Sequence, residues 1–138
     1  MPRQRRFMVI GMIIVMILGV FIVISIILKP KTARGECTQI INDIAKNDAA
    51  SANHELTTKT QKLFSTDSWQ QTVASYKPYV VGKLSYIQST SLAINLKDPS
   101  KATSVEFKVN SNQIICVAMI ENGSFKVDSF AVNPITAQ

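Results

Sequence analysis

Few side chains in this sequence of 138 residues have the chemistry that catalysis or metal binding needs. His54 is the only histidine, and it stands beside Glu55 in a segment with helical periodicity. A hydrolase or a metal site needs several His, Asp, Glu or Cys side chains that converge on one point. We therefore expect His54 to be solvated or to cap a helix, and we predict no metal and no cofactor.

The aspartates offer no obvious acid or base for a pocket. They fall mostly at predicted element ends, in turns or on solvated faces: Asp43, Asp48, Asp67, Asp98 and Asp128. Asp128 alternates with Val127, which is expected in the core, so its side chain should point to the opposite side of the strand. The sequence thus predicts a domain without catalytic residues.

The two cysteines allow two interpretations. Cys37 begins a predicted helix and Cys116 lies in an apolar predicted strand. Two cysteines in a compartment outside the cytoplasm can pair, whereas buried thiols can also serve as small apolar side chains. No CxxC motif is present and the one histidine is distant in sequence, so neither cysteine is expected to be a catalytic thiol.

Aromatic residues are the candidates for binding a small molecule. Trp69, Tyr76 and Tyr86, with Tyr79 beside them in sequence, could line a pocket for an apolar or aromatic ligand. The alternative is that these rings belong to the core and its rim.

The predicted strand 114–120 is apolar on both of its faces. Ile114, Cys116, Ala118 and Ile120 share one face. Ile115, Val117 and Met119 share the other. Because helices cover only one face of such a sheet, the second set predicts a surface for self-association or for a partner protein. Tight wrapping by neighbouring long side chains is the alternative.

An apolar segment precedes these residues. Residues 7–28 contain no charged residue, and a helix of that length spans about 33 Å, which is enough for a bilayer core of about 30 Å. A cleaved signal peptide would have a shorter apolar stretch followed by a small-residue cleavage site, which residues 29–35 lack. We predict a cytoplasmic tail at 1–6, a transmembrane helix at 7–28, a linker at 29–35 and an extracytoplasmic domain at 36–138.

The positive net charge comes from the flanks of this segment. Six of the fifteen basic residues lie in residues 1–35 without any acidic residue: Arg3, Arg5, Arg6, Lys29, Lys31 and Arg34. Residues 36–138 hold nine basic and nine acidic residues, so we expect no nucleic-acid partner. The predicted partner of the flanks is the lipid bilayer. The cysteines and the long C-terminal part favour a single-pass protein of the cell membrane with a cytoplasmic N-terminus.

Hydrophobic periodicity predicts helices first and strands afterwards. Helices are predicted at 37–47, around 49–64 and from Trp69 to Pro78, where proline should end the helix. Four strands follow from Gly82, with a bend near Gln88, and Asn122-Gly123 should form a tight hairpin turn. This order predicts an α+β fold in which helices pack on a four-stranded antiparallel sheet.

Short phrases of this domain resemble the cystatin-like superfamily, and within it the nuclear-transport-factor-two-like (SnoaL-type) domains. The phrases are residues 46–52 followed by Leu56, residues 102–109 and residues 121–127. Phe125 stands where the family's closing hairpin usually has Trp. The resemblance covers about residues 37–133, and it implies a cone: a curved sheet covered by helices, with a concave pocket between them and often a sheet-mediated dimer.

The resemblance bears on the cysteines and on the anchor. In a cone the first helix packs across the sheet, so Cys37 and Cys116 could meet, and a disulfide closing a loop of about 80 residues would contribute about 4 kcal/mol. Some domains of this type follow one transmembrane helix. That layout resembles the bitopic scaffold subunit of type IV secretion machines, which is usually longer than this chain.

The expected function is a membrane-anchored, extracytoplasmic, non-enzymatic interaction or scaffold domain of a cell-envelope or secretion assembly. Its partner would be a second copy or another envelope protein. One alternative is a cone domain that binds a small apolar ligand. A second alternative is a pocket enzyme of the isomerase or dehydratase type, which would need an acid or base beside the cavity.

Overall fold

The computed structural model describes residues 16–17, 32–93 and 101–134, and the chain divides into two compact units, Met1–Pro30 and Lys31–Gln138. Apart from residues 16 and 17, which are helical, the predicted transmembrane segment 7–28 lies outside the described residues. Its flanking cations lie outside them as well, except Arg34. Within the described ranges, no helix has the length and apolar character needed to cross a bilayer.

In the described residues of the second unit, four helices precede four strands. The helices are α1 (Ala33–Ala45), α2 (Ala49–His54), α3 (Thr58–Gln61) and α4 (Thr66–Val80). The strands are β1 (Leu84–Ala93), β2 (Lys101–Val109), β3 (Asn112–Glu121) and β4 (Ser124–Pro134). The side chain of the residue before each helix accepts a hydrogen bond from a backbone N–H in the first turn. These N-caps explain where each helix begins.

The first helix is amphipathic and begins earlier than predicted. Thr32 caps it, so residues 33–35 of the predicted linker are helical. Its buried apolar residues follow helical spacing and form one stripe: Ala33, Cys37, Ile40, Ile41 and Ile44. This stripe faces the sheet, and α1 contacts β2, β3 and β4.

Helix α4 continues past the residue that was expected to end it. Pro78 lies inside the helix, which runs on to Val80. Proline removes one backbone hydrogen bond, but only the last turn is affected. Val80 is buried and continues the apolar stripe of Trp69, Val73 and Tyr76, so packing on the core offsets the lost bond.

The second predicted helix is two short helices in the structure. Between α2 and α3, Leu56 forms an isolated parallel bridge with Val127 of β4. The N–H of Thr57 donates to the carbonyl of Val127, and the N–H of Val127 donates to the carbonyl of Glu55, both at 2.8 Å. Pairing with the edge of β4 therefore satisfies the backbone at the point where the helix is interrupted.

The sheet is a meander in the order β1-β2-β3-β4, with all neighbours antiparallel. Asn122 and Gly123 both have positive φ, 52° and 80°, as the predicted hairpin turn requires. The predicted bend near Gln88 is a β-bulge, because Tyr86 and Gln88 pair with consecutive residues of β2 and leave Ile87 unpaired. The predicted end of β1 and the turn after it fall in residues 94–100, outside the described residues.

One face of the sheet, called the inner face here, forms the core with α1 and α4. Its buried residues include Val105 and Phe107 of β2 and Ile114, Cys116 and Ala118 of β3. The opposite face, called the outer face, carries the alternate residues of each strand. The predicted α+β fold of helices on a four-stranded antiparallel sheet is confirmed.

Candidate functional site

A disulfide connects the first helix to the third strand. The structure joins Cys37 of α1 to Cys116 of β3, with 5.9 Å between their Cα atoms, and both residues are completely buried. Both lie on apolar faces that meet at the centre of the core. The sequence allowed either a disulfide or two buried thiols, and the structure contains the disulfide. Buried in this way, the disulfide serves the fold and has no exposed thiol chemistry.

A cavity of about 240 Å³ lies between the helices and β4. Its lining residues are Ile44, Leu56, Thr60, Leu63, Phe64, Trp69, Thr72, Tyr76, Asp128, Ser129 and Phe130. Most of the lining is apolar or aromatic, and the polar groups are few, which is the usual composition of a small-molecule site. Leu63 lies at its rim with 72% of its surface exposed.

Two of the three aromatic residues predicted to line a pocket line this cavity. The indole N–H of Trp69 donates to the carbonyl of Ala49 at 2.8 Å, and its ring packs at 5.2 Å from Phe64. Tyr76 contacts Phe130 edge to face at 5.4 Å. These contacts fix the rings in place before any ligand arrives.

Tyr86 lies elsewhere. It is on β1 with 40% of its surface exposed, and it is not among the residues that line this cavity. The guanidinium carbon of Arg34 lies 4.0 Å from the centre of its ring, and Phe107 lies edge-on at 6.1 Å. The structure thus gives Tyr86 a cation–π partner at the start of α1, and its role in lining a pocket stays a prediction.

The predicted orientation of Asp128 was wrong, because β4 is not a regular strand there. Val117 pairs with Ser129 while Ala118 pairs with Val127, which leaves Asp128 as the extra residue of a β-bulge. Asp128 lines the cavity. Its Oδ1 accepts a hydrogen bond from Thr57 Oγ1 at 3.3 Å, and its carbonyl accepts one from Thr60 Oγ1 at 2.8 Å. Strict alternation predicts the wrong side at a bulge.

The two faces of β3 differ in burial. Ile114, Cys116 and Ala118 are completely buried on the inner face, whereas Ile120 near the strand's end is 43% exposed. On the outer face, the predicted interface residues Ile115, Val117 and Met119 are only partly buried. We call these three residues the outer stripe.

Polar residues border the outer stripe. Ile115 stands opposite Glu106, and Val117 stands opposite Ser104 and Ser129. The Glu106 carboxylate accepts hydrogen bonds from Gln88 at 3.0 Å and from Gln113 at 3.2 Å. An apolar centre with a polar border is the arrangement that protein interfaces show.

Sequence reasoning did not find a buried polar group beneath the start of α1. Glu36 is completely buried, and Lys126 Nζ lies 4.0 Å from its Oε1 while donating to the carbonyl of His54 at 2.7 Å. Nearby, Gln39 donates to the buried carboxylate of Glu55 at 2.9 Å. The signal was available, because Glu36 lies four residues before Ile40 and therefore on the buried face of α1.

Two exposed carboxylates cap the short helices. Asp48 accepts the backbone N–H of Ser51 at 3.0 Å, and this hydrogen bond lowers the pKa of Asp48. Glu121 accepts the backbone N–H of Thr58 at 2.9 Å, and the pKa of Glu121 is lowered for the same reason. These carboxylates hold the ends of α2 and α3.

The side chain of His54 is exposed at the end of α2. Across the residues that the structure describes, no three His, Cys, Asp or Glu side chains gather where they could hold a metal ion. Comparison of the chain with protein-family models, curated proteins and solved structures gave no match.

Proposed function

We propose that this chain is a membrane-anchored, non-enzymatic interaction domain of the cell envelope, with a cone-shaped fold that self-associates through its sheet. The observation that carries the proposal is the outer stripe. Ile115, Val117 and Met119 form a continuous apolar row on one strand, and each remains partly exposed in the single chain. A second copy that packs its own stripe against this row would remove both from water.

Charge balance supports a second copy as the partner. Residues 36–138 hold equal numbers of acidic and basic residues, so two copies do not carry a net repulsion. Two antiparallel sheets can pack face to face with their strands nearly aligned. The polar residues beside the stripe, such as Glu106, would then form the rim of the interface.

The disulfide supports a location outside the cytoplasm. Disulfides persist in oxidising compartments and are rare in the reducing cytosol. Together with the apolar segment at 7–28, the Cys37–Cys116 bond favours a single-pass protein with a cytoplasmic N-terminus and an exported domain. Thiol labelling of protein denatured directly from cells tests this location, because denaturation exposes both buried cysteines. Without reductant the protein should take up no maleimide, and with reductant it should show two reactive thiols. Two free thiols without reductant would contradict it.

Sedimentation of the full chain in a non-ionic detergent tests self-association. We expect dimers at micromolar concentrations, and Val117→Glu should convert them to monomers because a charge would be buried at the centre of the interface. Gln71→Glu introduces the same charge on the exposed surface of α4, away from the outer face, and as the control it should leave the dimer intact. A wild-type chain that is monomeric throughout this range, or an unchanged dimer in V117E, would contradict the proposal.

The cavity favours a second candidate function, which is binding of a small apolar ligand. A cavity of about 150 Å³ is known to accommodate benzene, so the 240 Å³ found here is enough for one ring with a short substituent. The single tryptophan, Trp69, lines the cavity, so its fluorescence should report occupancy directly.

A further inference from the structure

We infer that the cavity beside α4 takes a small amphipathic cation, such as a primary amine or guanidinium carried on a compact apolar body. This inference rests on the second candidate function and adds the charge of the ligand to it. Three features carry it: the position of Asp128, the use of the hydrogen-bond donors in the lining, and the aromatic rings around them.

The first feature is the carboxylate of Asp128, which lies at the bulge and lines the cavity. Asp128 is two residues from Phe130 and shares its side of β4, and the bulge allows neighbouring Val127 to be buried on that side as well. Thr57 Oγ1 reaches its Oδ1 at 3.3 Å. In the described part of the chain, no cation forms an ion pair with this carboxylate. A negative group in an apolar setting gains most from a positive partner.

The second feature is that three of the hydrogen-bond donors in the lining already donate to backbone carbonyls. The indole N–H of Trp69 donates to Ala49, and the hydroxyl of Thr60 donates to Asp128, both at 2.8 Å. The hydroxyl of Thr72 donates to the carbonyl of Ser68, also at 2.8 Å. The donor hydrogens of these three groups are therefore not available to a ligand. The carboxylate and the threonine oxygens can still accept hydrogen bonds.

A ligand that suits this lining therefore brings donors of its own. An ammonium group has three donors and no acceptor, which matches the carboxylate of Asp128 and the oxygen of Thr72. A ligand carboxylate would meet the like charge of Asp128, and the lining has no cationic side chain to offset it.

The third feature is the aromatic character of the remaining surface. Phe64, Trp69, Tyr76 and Phe130 surround the space, and their edge-on and tilted contacts keep their ring positions fixed. Such rings remove an apolar body from water, and the face of an aromatic ring also attracts a cation. The site thus combines a small apolar volume with negative potential at one end.

Three probes of the same shape test the inference: cyclohexylmethylamine, cyclohexylmethanol and cyclohexanecarboxylate. Each is titrated into the full chain in non-ionic detergent while Trp69 fluorescence is recorded, with empty micelles as the blank for partitioning. We expect the amine to bind at least tenfold more tightly than the alcohol, and the carboxylate to show no saturable binding.

Asp128→Asn is the informative variant, because the amide keeps an acceptor for Thr57 but removes the charge. The amine should lose at least tenfold in affinity and fall to the level of the alcohol, while the alcohol should change less than twofold. Asp67→Asn makes the same charge change on the exposed start of α4 and should leave all three affinities as they are. The thermal unfolding midpoint of each variant verifies that the fold persists.

The outcomes separate the two proposals. Equal binding of amine and alcohol, unchanged in D128N, would overturn the cation inference and leave a purely apolar ligand site. No saturable change in Trp69 fluorescence with any probe would overturn both. Loss of amine affinity in Asp67→Asn as large as in D128N would assign the effect to general surface charge and also overturn the inference.

Discussion

The interior beneath α1 and the interior beneath α4 are stabilised in different ways. Beneath α1, the disulfide joins helix to strand, and Ile40, Phe107 and Ile114 have almost no exposed surface. Beneath the first half of α4, the helices and β4 enclose a cavity, and Leu63 at its rim is largely exposed. The first region uses covalent and apolar contacts, whereas the second uses helix caps and a strand bridge.

The contrast separates the residues that specify the fold from those available for recognition. A tightly packed region can lose little volume without a cost in stability, whereas a region with unfilled space tolerates change and can admit a ligand. The short helices α2 and α3 border the second region and are held by polar caps on their first turns. Local opening should therefore begin there, and the disulfide-linked region should open last.

The largest expected effect comes from breaking the disulfide. Cys37 and Cys116 are 79 residues apart, so replacing both by Ser should lower the free energy of unfolding by about 4 kcal/mol in the loop-entropy description. Denaturant unfolding with and without reductant measures it. The wild type should lose this stability only when it is reduced, and the stability of the double variant should not change with reductant. Equal stability of the reduced and oxidised wild type would show that the disulfide does not stabilise the region beneath α1.

Truncation of one aliphatic side chain in each region compares them directly. Ile40→Ala should cost about 3 kcal/mol because it leaves a void in a closed, fully packed core. Leu63→Ala removes an exposed side chain at the cavity rim and should cost less than about 0.5 kcal/mol. Urea denaturation of both variants measures the pair. Similar losses at the two sites would show that the regions are packed alike.

Lys126→Met tests whether the region beneath α1 is stabilised only by apolar contacts. The ammonium group lies beside completely buried Glu36 and donates to the carbonyl of His54. Its loss should cost about 2 kcal/mol, because a hydrogen bond to a charged group is lost near a buried carboxylate. Lys83→Met, on an exposed loop, is the control. If Lys126→Met costs no more than Lys83→Met, Lys126 does not stabilise the region beneath α1, and the apolar contacts and the disulfide account for its stability.

Acid should lower the stability of the region formed by the short helices α2 and α3. This is the smallest of the effects predicted here. The hydrogen bonds from Ser51 and Thr58 lower the pKa values of Asp48 and Glu121, so both carboxylates stabilise the fold above their ordinary values of 3.8 and 4.5. That stability is lost as the pH falls through the lowered values. As the pH is lowered from 6 to 2, the thermal unfolding midpoint should fall less steeply in the double variant Asp48→Asn, Glu121→Gln than in the wild type. Asp67→Asn should keep the wild-type slope.

Periodicity predicted much of the fold because the core obeys it closely. The spacing of Cys37, Ile40 and Ile44 identified α1, and Asn122-Gly123 located the final hairpin turn. The same reasoning placed Trp69 and Tyr76 on one helical face, and both line the cavity.

Sequence reasoning failed where a tertiary contact overrides a local rule. Pro78 does not end α4 because Val80, two residues later, is buried in the core. A helix does not continue through Leu56 because that backbone pairs with Val127. Val127 is buried while Asp128 beside it lines the cavity because of a bulge, which leaves no mark in an alternating pattern. Each outcome depends on packing or pairing with other elements of the fold, which a local pattern does not contain.

The disulfide also sets an order of events during synthesis. Cys37 leaves the ribosome 79 residues before Cys116 does, and at about 5 to 20 residues per second the first thiol waits roughly 4 to 16 seconds for its partner. With only two cysteines in the chain, the wrong pairing in that interval is with another molecule. On the export route proposed above, newly made chains that are crowded together would therefore be the ones most exposed to covalent dimers.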